Sequence, residues 1–132
     1  MINKELLDTL PSNLRHEKLF FIENNLDDFI KLSNIKDSEL NQILQCAPLC
    51  TLNNLKKIRA IAIFNSTIKI SPNEAYLLLH CGIGTVKSLS ILNPYELKER
   101  IGRLERSLNI KLPTKITLPL LKSWINRAKN SL

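Results

Sequence analysis

The chain has 132 residues, of which 44% are hydrophobic and 23% charged, and its formal net charge is +7. This length and composition are typical of one globular domain and exclude disorder over most of the chain. Because no apolar run approaches the roughly 20 residues that span a bilayer, we expect a cytoplasmic protein that does not enter membranes.

Apolar residues recur at helical spacing along the N-terminal half, and strand-like alternation is scarce. This pattern predicts helices over residues 5–10, 14–32, 37–45 and 52–64. Residues 61–70 contain enough β-branched side chains for a short extended segment, but we interpret them as a helix end and a loop. The predicted fold class is therefore all-α.

Two helices in the second half carry clear start signals. Ser71 precedes Pro72 and Glu74, which is the order of an N-cap, a first helical proline and a capping-box glutamate. Asn93 precedes Pro94 in the same way and should cap a further helix. The polar face of that helix carries Lys98, Arg100, Arg103 and Arg106.

After a loop over residues 109–117, residues 118–130 form the last predicted helix. One side of this helix carries Leu121, Trp124, Ile125 and Ala128. Trp124 could stack on a base beside Arg127, but its apolar neighbours favour a place in the core. With one Trp, two Tyr and four Phe, the chain favours contact with a duplex backbone over stacking along a single strand.

The positive charge is concentrated in the C-terminal part of the chain. Residues 1–54 contain five Lys and Arg against eight Asp and Glu, a net charge of −3, and residues 55–132 contain fourteen against four, a net charge of +10. A basic half attracts polyanions, although surface cations also keep helices soluble.

Because no linker divides the chain, we expect residues 1–36 to form an acidic helical extension packed on a domain of residues 37–132.

The segment LLHCGIGTVKSL, which starts at Leu78, holds a G-x-G pair between two predicted helices. Gly82 can adopt a positive φ at low cost, and Ile83 would enter the core and fix the turn. Gly84 would let the backbone approach a ligand closely. A packing turn between two helices needs the same pattern, so both interpretations stay open at this point.

Thr85 should cap the helix after this turn, and the free N–H groups and dipole of that helix suit an anion. Lys87 adds positive charge in the same first turn. A nucleic-acid phosphate fits such a site without base contacts, so binding would be independent of sequence and would weaken with salt. Supporting charge would come from Arg100, Arg103, Arg106, Lys122 and Arg127.

An internal repeat at an offset of 34 residues places residues 43–55 over residues 77–89. The matched pairs include Leu44 with Leu78, Leu49 with Ile83, Thr51 with Thr85, and Leu55 with Leu89. Pro48 and Cys50 stand at the positions of the two glycines, so the first turn loses one amide hydrogen and the positive φ. The first hairpin is therefore predicted to be structural, which leaves the second as the single contact point.

The pattern from Leu79 to Ser88, with Gly82 and Gly84 on either side of an apolar residue, resembles the helix-hairpin-helix motif of proteins that bind DNA without sequence specificity. Residues 37–129 resemble a family of uncharacterised bacterial and cyanobacterial proteins, a domain of unknown function with tandem helix-hairpin-helix character. The resemblance implies a compact helical domain with two pseudo-duplicated hairpin units and a nucleic-acid role. The N-terminal helices lie outside it.

Other kinds of site have little support. The G-x-G pair follows no strand and lacks the third glycine of a dinucleotide fingerprint, and P-loop spacing is absent. Cys46 and Cys50 could join His80 and Cys81 as zinc ligands, but the usual two-residue spacing is missing and isolated cysteines are commonly buried. The three cysteines are expected to be free thiols. The carboxylates are scattered, so we predict no metal, no cofactor and no enzymatic activity.

Two hypotheses follow from the sequence. The first is a non-catalytic domain that contacts the nucleic-acid backbone, most naturally that of DNA, through Gly82, Gly84, Thr85 and Lys87. The second is an adaptor that docks an acidic protein on its basic face. Neither hypothesis involves a membrane or a small-molecule substrate.

Overall fold

A computed structural model describes residues 10, 14–26, 28–108 and 116–132. This part of the chain forms eight helices and no strand, which confirms the all-α class. The helices are α1 (Arg15–Glu23), α2 (Phe29–Ser33), α3 (Asp37–Cys46), α4 (Leu52–Ile68), α5 (Pro72–His80), α6 (Val86–Ser90), α7 (Pro94–Leu108) and α8 (Leu118–Ser131). None of them is long and apolar enough to cross a membrane. The predicted helix over residues 5–10 lies outside the described residues, apart from Leu10.

The chain divides into two compact units, Met1–Tyr76 and Leu77–Leu132. The division falls inside α5 and lies C-terminal to the boundary that we predicted after residue 36. The first unit contains nine Lys and Arg and nine Asp and Glu, a net charge of 0, and the second contains ten against three, a net charge of +7. The formal net charge of the chain therefore belongs to the second unit.

The helix α4 is the centre of the first unit. It packs against α2 and α3 and buries apolar residues along its length, including Leu55, Ile58 and Ile61. Arg59 of α4 donates to Asp37 Oδ1 at 2.6 Å, at the start of α3. This hydrogen bond and the guanidinium charge hold the pKa of the Asp37 carboxyl below its usual value.

The helix predicted over residues 14–32 forms as two helices, so that prediction was wrong. Asn24 caps α1, and Asn25 has a φ of 60°, in the left-handed region that asparagine tolerates better than most residues. Asp28 then caps α2, because its carboxylate accepts from the Ile30 N–H at 2.8 Å. Local hydrogen bonds of Asn and Asp side chains override the apolar periodicity here.

The helix α4 continues four residues beyond its predicted end at Phe64. Ile68 is buried, so packing supports the last turn despite the β-branched side chains of Thr67 and Ile68. Lys69 closes the helix with a φ of 60°. The stretch that we interpreted as a helix end and a loop is therefore mostly helix.

In the second unit, α8 packs against α6 and α7. The predicted apolar side of α8 is buried as a set, namely Leu121, Trp124, Ile125 and Ala128. Trp124 is only 1% exposed, which places it in the core and leaves no ring face for a base. The prediction of a core position for Trp124 is confirmed.

Both predicted helix starts in the second half are confirmed. The Ser71 N–H donates to Glu74 Oε1 at 3.1 Å, and the Glu74 N–H donates to Ser71 Oγ at 3.2 Å. At the start of α7, the Tyr95 N–H donates to Asn93 Oδ1 at 2.8 Å. Each cap satisfies N–H groups that the first turn of a helix leaves without partners.

Candidate functional site

The turn between α5 and α6 ends α5 in a Schellman motif. Gly82 has a φ of +85°, and its N–H donates to the Leu79 carbonyl at 3.0 Å. The next N–H, that of Ile83, donates to the Leu78 carbonyl at 2.9 Å. Ile83 is 1% exposed. The left-handed glycine and the buried isoleucine, which together fix the direction of the chain, are both as predicted.

Gly84 is exposed, and neither packing nor strain within the chain requires a glycine there. A Cβ placed on it would have no heavy atom within 4 Å, and its φ lies outside the left-handed region. The lack of a side chain instead leaves the backbone of Gly84 open to solvent. This position therefore differs from Gly82, whose conformation does favour glycine.

Thr85 caps α6 as predicted. Its Oγ1 accepts from the Ser88 N–H at 3.0 Å, and its own N–H donates to Ser88 Oγ at 3.3 Å. The N–H groups of Gly84, Val86 and Lys87 have no acceptor within the described part of the chain. The Lys87 side chain is exposed in the same turn. Because α6 has only five residues, its dipole is weaker than we expected, and the N–H groups and Lys87 are what can hold an anion.

The first hairpin, between α3 and α4, holds an anion from within the chain. Glu17 of α1 is 1% exposed, and its Oε2 accepts from the Thr51 N–H at 2.9 Å. Its Oε1 accepts from Asn54 Nδ2 at 3.4 Å. Thr51 in turn caps α4, since its Oγ1 accepts from the Asn54 N–H at 3.2 Å. The start of α4 thus binds a carboxylate of the chain itself, and the structural role of this hairpin stays a prediction.

Replacement of Glu17 by glutamine is expected to lower the free energy of unfolding by roughly 1–3 kcal/mol. The amide has nearly the same volume, but it loses the charge-assisted hydrogen bond to the Thr51 N–H in a buried place. Urea denaturation followed by circular dichroism measures the loss. The matched control is Glu23→Gln at the exposed end of α1, which should cost less than about 0.5 kcal/mol. Equal losses in the two variants would contradict the role of Glu17.

The two hairpins agree at their helix starts and differ in their turns. Thr51 and Thr85 both cap the second helix of their hairpin. Leu49, in contrast, is 69% exposed, whereas Ile83, its partner in the 34-residue alignment, is buried. No residue of the turn over 47–50 has a positive φ. The duplication therefore stays a prediction, supported by the caps and not by the turns.

Two of the predicted arginines line a groove beside the second turn. Arg100 and Arg103 of α7 share this open groove of about 400 Å³ with His80 and Cys81, the residues directly before Gly82. Leu104 and Ser107 complete the lining. The fold thus brings together a predicted turn and predicted charges that are about twenty residues apart in the sequence.

Exposed ion pairs along α7 hold these two guanidinium groups. Arg100 Nη2 lies 2.9 Å from Glu96 Oε1, and Arg103 Nη2 lies 3.9 Å from Glu99 Oε1. Such pairs contribute only roughly 0.3–0.5 kcal/mol, so either arginine can exchange its partner for a stronger anion. Burial raises the pKa of the Cys81 thiol, and the Arg100 charge opposes that rise.

The other predicted cations lie elsewhere on the second unit. A Cβ on Gly102 would lie 3.3 Å from Arg106 Nη1, so the Arg106 side chain folds back along its own helix. Lys122 Nζ lies 5.7 Å from the centre of the Tyr95 ring, in a cation–π contact. None of the predicted cations Arg106, Lys122 and Arg127 lines the groove.

The cysteines are free thiols in different environments: Cys46 is exposed, Cys50 is buried and Cys81 is half-buried. Burial raises the pKa of Cys50. Among the described residues, no group of three or more His, Cys, Asp or Glu side chains is placed to hold a metal ion.

Residues 11–131 match the family described as a domain of unknown function, DUF4332. The chain belongs to the DUF4332 family. The match starts earlier than the resemblance over residues 37–129, so the family includes α1 and both hairpins. No curated protein and no solved structure matches the chain. The bacterial origin and the helix-hairpin-helix character of the family stay predictions.

Two features of this DUF4332 chain escaped the sequence analysis. Glu17 meets Thr51 across 34 residues, and no local spacing relates the two. The groove that joins His80 and Ser107 to the two arginines was also not predicted, although His80 was considered as a zinc ligand. The sequence signals for His80 were its neighbour Cys81 and its position directly before the turn.

Proposed function

We propose that the second unit is a non-catalytic domain that binds the nucleic-acid backbone, preferably that of duplex DNA, without reading its sequence. The contact is made by Gly82, Gly84, Thr85 and Lys87, with Arg100, Arg103, Arg106, Lys122 and Arg127 as surrounding charge.

One observation carries this proposal, namely the open backbone from Gly84 to Lys87. Its N–H groups at Gly84, Val86 and Lys87 are without acceptors in the described chain, and no side chain at Gly84 shields them. Phosphate oxygens only accept hydrogen bonds, so they match a surface of donors beside a lysine. A turn that served packing alone would not need glycine at position 84.

The first hairpin supports the same chemistry. At the start of α4, the Thr51 N–H binds the carboxylate of Glu17. An oxyanion at the start of the second helix is therefore compatible with this kind of hairpin. At the start of α6, Ser88 Oγ accepts from the Thr85 N–H instead, and no carboxylate of the described residues does so.

The charge distribution also supports a polyanionic partner. The second unit carries the whole formal net charge of +7, and the first unit is neutral. A field of this size raises the rate of encounter with nucleic acid and makes binding sensitive to salt. This field does not distinguish one base sequence from another, in agreement with the proposed sequence-independent binding.

Titration of labelled duplex and single-stranded oligonucleotides at two salt concentrations tests the proposal. We expect micromolar or tighter binding of duplex DNA at about 50 mM salt, and a loss of tenfold or more at about 200 mM, as two or more phosphate contacts require. Duplexes of different sequence should bind equally. Absence of binding at the lower salt concentration would reject the proposal.

The two glycines of the turn are expected to respond differently to alanine. Gly82→Ala should lower the free energy of unfolding by about 1–2 kcal/mol, because φ is +85° there. Gly84→Ala should change stability by less than about 0.5 kcal/mol and weaken duplex binding by roughly two- to tenfold, the value of about one hydrogen bond. Thermal unfolding and fluorescence anisotropy measure the two effects. Wild-type affinity in Gly84→Ala would show that the open backbone at Gly84 does not contact the phosphate.

An acidic protein is the second candidate partner of the basic unit. Ile91 is 80% exposed and Tyr95 is 63% exposed, and both lie in this unit. Exposed apolar residues among cations are typical of protein interfaces, which combine aromatic anchors with a charged rim. Recovery of one stoichiometric protein partner, together with absence of duplex binding, would favour this alternative.

A further inference from the structure

We propose that the groove beside the turn, lined by His80, Cys81, Arg100, Arg103, Leu104 and Ser107, is a second binding site for a backbone phosphate of the same nucleic-acid strand. This inference rests on the proposed function, since it names where the strand runs after it leaves Gly84 and Lys87.

The groove and the turn are adjacent because the chain connects them directly. Cys81 lines the groove, and Gly84 follows it by three residues. Consecutive Cα atoms are about 3.8 Å apart, so the two Cα atoms lie within roughly 11 Å of each other. One DNA strand carries a phosphate for about every 3.4 Å along the helix axis, so nearby phosphates of one strand can reach both the turn and the groove.

The lining of the groove suits a phosphodiester. It contains the guanidinium groups of Arg100 and Arg103 and the His80 ring, and no carboxylate is among its described lining residues. The Ser107 hydroxyl at its edge donates to the Leu104 carbonyl at 3.1 Å. Arginine presents five N–H donors in a plane and can bind two phosphate oxygens at once. Leu104 adds an apolar surface against which the carbon atoms of a sugar can pack.

The ion pairs on α7 are compatible with this role. The bond of Arg100 to Glu96 uses Nη2, and the distance from Arg103 to Glu99 is at the outer limit for an ion pair. Both pairs are exposed, so water screens them. A bound phosphate can therefore share or replace the glutamate partners.

The thiol of Cys81 gives a direct readout of the groove. In a Cys46→Ser/Cys50→Ala variant, Cys81 is the only thiol, and its rate of alkylation by iodoacetamide reports whether the groove is covered. We expect a saturating duplex oligonucleotide to slow this alkylation by fivefold or more. Binding of the oligonucleotide is measured separately by fluorescence anisotropy.

A double variant tests the arginines independently. Arg100→Gln/Arg103→Gln should lower the slope of log affinity against log salt by about 1, the value for one phosphate contact. Lys98→Gln, which removes one charge instead of two, is the control for a loss of charge outside the groove, because Lys98 is exposed on the same helix and does not line the groove. The slope of log affinity against log salt should change clearly less in Lys98→Gln than in the double variant.

The outcomes separate this inference from the proposed function. If the duplex binds and depends on Lys87, but Cys81 is not protected and the double variant behaves like Lys98→Gln, the groove is not a phosphate site and the proposed function stands. If no oligonucleotide binds, both fail. If poly-glutamate protects Cys81 and the duplex does not, the groove is a protein-binding site and the inference is wrong.

Discussion

Replacement of Lys87 by glutamate is expected to weaken the binding of a duplex oligonucleotide by about tenfold or more at low salt, and to lower the salt slope by about 1 or more. The exposed lysine stands in the turn whose N–H groups are open, so the change removes a phosphate contact and places an anion there. Fluorescence anisotropy over a series of salt concentrations measures both quantities. The helix caps are untouched, so stability should change by less than about 0.5 kcal/mol.

The control for this prediction is Lys129→Glu near the end of α8. It changes the net charge of the second unit by the same amount and lies outside the turn and the groove. A general effect of charge would weaken binding equally in both variants, whereas a local contact makes the Lys87 variant clearly weaker. Equal losses would mean that the turn is not the contact point.

Replacement of Trp124 by alanine is expected to lower the free energy of unfolding by about 3–5 kcal/mol. The ring is 1% exposed on the helix that packs against α6 and α7, so its removal leaves a large cavity in the core of the second unit. Since small domains have only about 5–15 kcal/mol of stability, much of it would be lost. Urea denaturation followed by circular dichroism measures the change.

A milder variant separates the core role of Trp124 from a role in binding. Trp124→Phe should retain the fold with a smaller loss of stability and should bind duplex DNA like the wild type, because no ring face is available to a base. Tyr95→Ala serves as the control for an exposed aromatic residue and should cost less than about 1 kcal/mol. Weakened binding by a folded Trp124→Phe protein would show that the ring does contact the ligand.

The helix starts could be predicted because each depends on neighbours in the sequence. The hydrogen bonds of Ser71 with Glu74 and of Thr85 with Ser88 span three residues, so residue types and spacing suffice. The apolar side of α8 was predictable for a similar reason, since a period of 3.6 residues identifies the face.

The predicted helix bounds were wrong where local hydrogen bonds, apolar periodicity and long-range packing favour different structures. Apolar periodicity predicted one helix over residues 14–32, but Asn25 and Asp28 end one helix and start another through their own side chains and backbone. Conversely, α4 runs to Ile68 because burial supports its last turn, which β-branched residues alone would not favour.

By itself, the sequence determined the all-α class, the left-handed Gly82, the cap at Thr85 and the concentration of charge in the second half. These depend on backbone preferences and contacts within a few residues, or on simple counting. Only the tertiary structure decided that Gly84 is open, that Glu17 fills the start of α4, and that Arg100 and Arg103 join Cys81 in one groove. Those features depend on which helix faces meet, and pairings between residues far apart in the chain leave no periodic or local signal in it.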